Sequence, residues 1–262
     1  MILTVLFYSF VVFTGIQILY YLVFSSFLFH TRKNNKKSPV LPISIIICAK
    51  NEAKNLEKFL PSILHQKYTD FEVILINDAS SDKTAEVMKY FAKKYSKIKI
   101  ITVKNIEAFW GNKKYALTLG IKAAKNEHLL FTDADCSPVS KNWIYEMSQN
   151  FHKEKTIVLG YGKYKTEKSF INLLVRFETL LTAIQYFSFS KIGSPYMAVG
   201  RNLAYQKSEF FKVKGFINHI HIKSGDDDLF IQDAANKKNT TISLSKNSFT
   251  ESIAPKSFTE WF

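Results

Sequence analysis

Cysteine is scarce in this chain. Its 262 residues hold only Cys48 and Cys136, which belong to no metal-binding or redox pair in sequence. Both flank apolar runs, so buried free thiols in a reducing compartment are the expectation. His65, His128, His152, His219 and His221 form no ligand pair at helical spacing and read as structural or surface residues. His221 stands apart because it lies close to an acidic triplet. Also missing are a zinc-finger spacing, an RNP-like aromatic motif and an Arg-rich tract. Nucleic acid is therefore not an expected partner, although 36 Lys and Arg against 22 Asp and Glu leave a formal charge of +14. That excess fits a solvated lysine-rich face, anionic lipid or a polyanionic substrate. There is no internal repeat and no low-complexity tract. With 47% hydrophobic and 22% charged residues, the composition predicts one packed domain of medium size with a small appendage.

Charge is absent altogether from Met1 to Phe29, a run dense in Phe, Ile, Leu, Val and Tyr. About 20 residues at roughly 1.5 Å each cross a bilayer core, so this stretch is long enough. It lacks the basic start, short apolar core and small-residue end of a cleavable signal peptide. Arg32, Lys33, Lys36 and Lys37 follow at once, with no basic residue on the other flank. The positive-inside rule then predicts a single span in the cell (inner) membrane, with the remaining domain cytoplasmic. A transmembrane anchor is expected over residues 1–30 and a basic linker over 31–42; a long buried core helix is the alternative.

Beyond the linker, β and α patterns alternate. Apolar, β-branched runs at 43–48, 71–76, 98–103 and 128–132 read as buried strands. Between them fall helices carrying Leu56, Phe59, Leu60, Ile63 and Leu64, then Val87, Phe91 and Tyr95, then Ala116, Leu117 and Ile121. Asn51 is expected to cap the first of these. The alternation predicts an α/β fold with a mostly parallel, doubly wound sheet, in which ligands gather outside the carboxyl ends of the strands. In the second half, residues 169–190 are apolar and aromatic but interrupted by Arg176 and Glu178. They read as one amphipathic helix, facing either the core or the membrane surface. A strand at 203–205 and a short helix at 207–213 stopping at Gly215 complete the pattern.

Several groups of residues carry chemistry. Asp133-Ala134-Asp135 ends the fourth strand, and two carboxylates one residue apart suit a hard divalent cation, Mg²⁺ or Mn²⁺, together with diphosphate oxygens. Asp78, after the second strand, is placed to accept hydrogen bonds from a ribose or nucleobase, with Ser81 or Asp82 at the helix start. Asp226, Asp227 and Asp228 follow Gly225; beside a sugar-nucleotide site such a cluster supplies a carboxylate able to take a hydroxyl proton, and spacing alone does not choose among the three. Lys113 and Lys114 begin a helix; one such lysine adds charge to a diphosphate clamp, and Lys114 reads as an exposed lysine.

Taken in order, ISIIICAKNE (43–52), FEVILINDASSDKT (71–84), GNKKYALTLG (111–120), LLFTDAD (129–135) and GDDDL (225–229) resemble family 2 of inverting glycosyltransferases. The resemblance implies a GT-A fold, a nucleotide-diphosphate sugar donor and a divalent metal. It makes Glu52 and Asp78 nucleoside-contacting residues and Lys113 a neighbour of the diphosphate. Asp133 and Asp135 match the family's Asp-x-Asp, whose second acid ligates the metal. Asp227 matches the catalytic base, with Asp226 beside it, and Gly200-Arg201-Asn202 is similar to the acceptor-facing loop. Asn77 departs from the pair of acids that usually ends the second strand. Polymerising relatives continue into a Gln-x-x-Arg-Trp motif and further spans. This sequence stops at Phe258-Thr259-Glu260-Trp261-Phe262, about where that motif would begin. The catalytic domain is thus expected over 43–250 and the start of an interfacial segment of a longer protein over 251–262.

The implied reaction is transfer of a sugar to an acceptor hydroxyl on a glycan or lipid. Two readings compete: a catalytically incomplete, nucleotide-binding membrane scaffold, and a metal-dependent nucleotidyltransferase. The second lacks support in residues 48–52, where such enzymes carry a Gly-rich basic signature and this chain has no glycine.

Overall fold

The computed structural model of the chain describes residues 2–25, 40–104 and 113–261. Arg32, Lys33, Lys36, Lys37, Gly111 and Asn112 lie outside them. The four runs of the first half form β1 (Ile43–Ala49), β2 (Phe71–Asp78), β3 (Ile98–Val103) and β4 (His128–Phe131). They lie side by side in the order β3-β2-β1-β4, all parallel. The crossovers are α2 (Ala53–Leu64), α3 (Thr84–Lys94) and α4 (Lys113–Ala123).

Downstream come β5 (Cys136–Pro138), α5 (Trp143–Ser148), β6 (Ile157–Leu159), β7 (Gly162–Tyr164), α6 (Phe170–Ile192) and β8 (Leu203–Gln206). They are followed by α7 (Lys207–Lys212), α8 (Asp228–Ala234), β9 (Thr240–Ile242), β10 (Thr250–Ser252) and α9 (Phe258–Trp261). Strand β8 adds to β4 antiparallel, β6 to β8 antiparallel and β9 to β6 parallel, giving a seven-stranded, mostly parallel sheet. A separate three-stranded sheet runs β5-β10-β7. The boundary expected at residue 250 therefore cuts through β10, whose Glu251 and Ser252 pair with both β5 and β7.

Helices cover both faces of the large sheet, which is why β1 is apolar at nearly every position rather than alternating. Ile45 and Ile47 point into the core under α2, α3 and α5, with Leu56, Met88 and Trp143. Ile46, one residue out of phase, points into the opposite core under α4, α6, α7 and α8, with Ile121, Tyr186, Phe210 and Phe230. Among described residues the two cysteines are free thiols, Cys136 buried and Cys48 half-buried.

The N-terminal run forms α1 (Ile2–Ser25), a 24-residue helix long and apolar enough to cross a membrane. Among its described side chains only Phe24 is buried, against Phe189 of α6.

The start of α2 departs from expectation, while Asp82 stands at the start of α3 as expected. Asn51 does not cap α2; it sits at φ 59°, and its Oδ1 accepts from Ser81 N at 2.8 Å in the turn after β2. Asp82 serves the helix ends instead, accepting from Thr84 N at 2.9 Å and from Ala53 N at 3.3 Å. One carboxylate thus joins the starts of α2 and α3, which a cap read along the local chain does not anticipate.

Candidate active site

Parallel strands deliver their last residues to one edge of the sheet, and four expected acids arrive there by topology alone. Glu52 follows β1, Asp78 closes β2, and Asp133 and Asp135 follow β4. With Cys48, Lys50, Lys113 and Ala134 they line a cleft of about 450 Å³. Lys50 faces this cleft too; it lies within the stretch 43–52, but the sequence assigned it no role. Asn77, in place of an acid, turns inward, and its Oδ1 accepts from Ser80 N at 3.1 Å. The substitution therefore builds the turn, while Asp78 lines the cleft.

The antiparallel strand β8 brings a second set. Its first residue, Leu203, pairs with Phe131 of β4, so Gly200 and Arg201 stand beside the Asp-x-Asp turn. Asp227 then closes on this loop: its Oδ2 accepts from Gly200 N at 2.6 Å and its Oδ1 from Asp228 N at 2.9 Å. A Cβ at Gly200 would stand 3.4 Å from that same Oδ2, an ordinary van der Waals contact. Burial and then the charge of Asp226 push the Asp227 carboxyl above the usual carboxylate range, although its two amide bonds oppose them. Asp228, which accepts from Ala198 N at 3.2 Å, is raised to about 6 by burial and by Asp227.

Lysines join the two sets. Lys113 Nζ lies 3.2 Å from Asp133 Oδ1 and 3.2 Å from Asp226 Oδ2. Burial works against its charge, but the two carboxylates prevail and hold its pKa above the ordinary lysine range. Lys114 corrects the reading of an exposed residue. It is fully buried, and its Nζ donates to the carbonyls of His219 at 2.9 Å, Ile222 at 2.9 Å and Ser224 at 2.7 Å. Among the described residues three carbonyls and no carboxylate hold this cation, and they belong to the loop that leads into the triplet. Its place was readable, since residues 114, 117 and 121 fall on one helical stripe with two core residues. His221 remains on the surface, whereas His219 meets Asp233 at 3.0 Å.

Asp133, Asp135 and Cys136 hold three ligand-type atoms within 4.8 Å of one another. Burial and the neighbouring Asp133 raise the Asp135 carboxyl. The Cys136 thiol donates to Asp135 Oδ1 at 3.3 Å, and burial and Asp135 keep it protonated far above the usual range. Two oxygen donors, crowded and partly buried, suit a hard divalent ion, and the protonated sulfur serves as support. Cys48 is likewise no nucleophile, for burial and then Asp78 push its thiol up to about 12.

Arg201 faces away from the triplet. Its guanidinium carbon lies 4.6 Å from the centre of the Tyr164 ring, and its buried Nε has no partner among the described residues. It lines a neighbouring pocket of about 180 Å³ with Tyr161, Glu178, Thr179, Thr182 and Tyr186. Asn202, next to it, is structural: Trp143 Nε1 donates to its Oδ1 at 3.0 Å, and its Nδ2 donates to Tyr161 and Ser248 carbonyls.

Known proteins share this geometry's fold and motifs. The model of the family "Glycosyl transferase family 2" matches residues 44–219, which contain both edge sets except the acidic triplet. The 4,4'-diaponeurosporenoate glycosyltransferase of Staphylococcus haemolyticus is 28% identical over 70% of this chain and 49% of its own length. The poly-beta-1,6-N-acetyl-D-glucosamine synthase of Staphylococcus aureus is also 28% identical, over 70% of this chain and 48% of its own. The chain thus spans about half the length of these curated relatives. Among solved structures, the mannosyltransferase PcManGT from Pyrobaculum calidifontis, in complex with GDP-Man and Mn²⁺, superposes with a TM-score of 0.72 at 18% identity. That match covers 95% of this chain and 68% of the other. S. aureus TarS 1-349 in complex with UDP-GlcNAc gives 0.58 at 16% identity over 83% and 60% of the two chains. The fold is GT-A-like, and the chain belongs to glycosyl transferase family 2.

Proposed function

We propose that this domain transfers a sugar, with inversion at the anomeric carbon, from a nucleotide-diphosphate donor to an acceptor hydroxyl at the cytoplasmic membrane face. The observation that carries the reading is the bridge from Lys113 to both Asp133 and Asp226, which closes the strand-end acids and the triplet around one cleft. The relatives and structural neighbours named above, with their GDP-Man and UDP-GlcNAc complexes, support the donor class.

In this reading Glu52 and Asp78 accept hydrogen bonds from the nucleoside, and Lys113 sets its charge against the diphosphate. Asp135, with Asp133, would hold Mg²⁺ or Mn²⁺. Such an ion, when bound, supplies Lewis-acid neutralisation of charge on the departing diphosphate. Asp227 is the base. It takes the proton of the acceptor hydroxyl as that oxygen attacks the anomeric carbon, while the bond to the diphosphate oxygen breaks on the opposite face and the diphosphate leaves with the electron pair. The amides of Gly200 and Asp228 aim its carboxylate, and burial and Asp226 raise its basicity. Asp226, paired with Lys113, and Arg201, in its side pocket, stand on the acceptor side.

The test is a panel of UDP- and GDP-sugars with Mn²⁺ or Mg²⁺, the full chain being held in liposomes and released nucleoside diphosphate being measured. Metal-dependent release of nucleoside diphosphate with one sugar is expected, with an acceptor product of inverted anomeric configuration by NMR. Release of pyrophosphate would favour a nucleotidyltransferase, and nucleotide binding without any release would favour a scaffold.

A further inference from the structure

Helix α6 carries an apolar stripe on the side turned away from the core. Its buried face, with Val175, Thr179, Ala183 and Tyr186, packs on the domain. At spacings of three and four residues on the opposite face stand Phe170, Leu173, Phe177 and Leu180, exposed by 69%, 59%, 63% and 48%. Four large apolar side chains in one row form a patch, not the scattered exposure of an ordinary surface.

The same face, followed two turns further, is where α1 sits. At 100° per residue Ser188 lies in line with Phe170, yet Ser188 is fully buried, its Oγ shared between the carbonyls of Ile184 at 2.6 Å and Phe24 at 3.0 Å. Gln185 and Phe189, flanking it, meet Tyr20 and Phe24. One end of the stripe is thus covered by the helix that is itself apolar around its circumference, and the other end is bare. Lysines bracket the row: Lys165 and Lys168 are exposed before it and Lys191 after it. An apolar row between lysines, continuous with the seat of a membrane-length helix, has the chemistry of an interfacial helix.

We infer that α6 lies in the surface of an anionic bilayer, with Phe170, Leu173, Phe177 and Leu180 in the acyl boundary and its end lysines at the phosphates. The inference rests on reading α1 as a membrane span. It carries a consequence for the site. Glu178, Thr179 and Thr182 of this helix line the pocket that holds Arg201; they lie on its domain side, so docking the stripe holds that pocket above the lipid surface by about the 10 Å width of one helix.

The test uses the full chain, with Cys48 and Cys136 replaced by Ser, in vesicles containing phosphatidylglycerol. Single cysteines at Leu173, Phe177, Phe13 and Tyr90 carry an environment-sensitive fluorophore. Brominated lipids should remove most of the emission at 173 and 177, more when bromine is near the headgroup than at the chain end. A label at Phe13, mid-way along α1, should show the reverse depth order, and one at Tyr90, exposed on α3, should not be quenched. Labels at 173 and 177 that stay as open to aqueous iodide as the one at 90 would overturn the inference. So would labels shielded from iodide but untouched by brominated lipid, since a protein surface would then cover the stripe. An unquenched label at Phe13 would sink the span reading alone, because α6 is judged on 173 and 177.

Discussion

The two groups of acids that meet at the cleft are held by different means. Asp78, Asp133 and Asp135 are carried by strand ends in a sheet whose register is fixed on both faces by buried isoleucines. Asp226, Asp227 and Asp228 precede and open α8, a helix of only seven residues, and depend on single contacts: Lys113, Lys114 and the amides of Ala198 and Gly200. Acids placed by a sheet tolerate changes around them, whereas acids placed by side chains fail one contact at a time.

The largest effect should come from Asp227→Asn. A positioned general base contributes about 10²–10⁴-fold, so kcat should fall by that order while donor affinity, read by calorimetry, stays within about twofold. Asp135→Ala should come next, abolishing Mn²⁺- or Mg²⁺-stimulated turnover and weakening donor binding. In the wild type, EDTA should remove activity and the added ion should restore it.

Lys114→Met sharpens the comparison, because it touches no substrate in this account. It leaves three carbonyls of the loop before the triplet without their donor, and a buried polar group left unpaired costs about 1–3 kcal/mol. The melting temperature should fall, and kcat should drop about tenfold or more with little change in KM for the donor. An equal loss on both sides of the cleft would mean that Lys114 supports the fold at large. Gly200→Ala should act more weakly still, since the new methyl would meet Asp227 Oδ2 only at an ordinary contact of 3.4 Å.

Titration gives the smallest effects. As the proposed base, Asp227 would work deprotonated, so kcat should be lost as pH falls through its raised pKa, and Asp226→Asn, by removing a neighbouring negative charge, should move that acid limb to lower pH. Asp228 is raised from 3.8 to about 6. Its protonated form therefore stabilises the fold fully below about 3.8, and that contribution is lost as pH rises through about 6. Between pH 4.5 and 7.5 the melting temperature of Asp228→Asn should accordingly fall less than that of the wild type.

The same contrast governs what the amino-acid sequence disclosed. Strand-end acids were legible because a run such as residues 43–48 is apolar at almost every position only when both sheet faces are covered, and topology does the rest. The antiparallel strand β8 was legible as a strand but not in its partner, so the meeting of Gly200 with Asp227 came from the structure. Lys114 was misread because composition makes any lysine look solvated, while its helical phase placed it inward. Asn51 was misread because its side chain serves a turn thirty residues away in sequence. Contacts of that range leave no periodic trace in either segment.

The central claim is that Asp227 is the base of a transferase whose donor site is complete without it. The direct measurement pairs donor binding with released nucleoside diphosphate for wild type and Asp227→Asn, in the same vesicles, with Mn²⁺. Unchanged binding with turnover lost by about 10²-fold or more is the predicted result. Turnover of Asp227→Asn at the wild-type rate would contradict it.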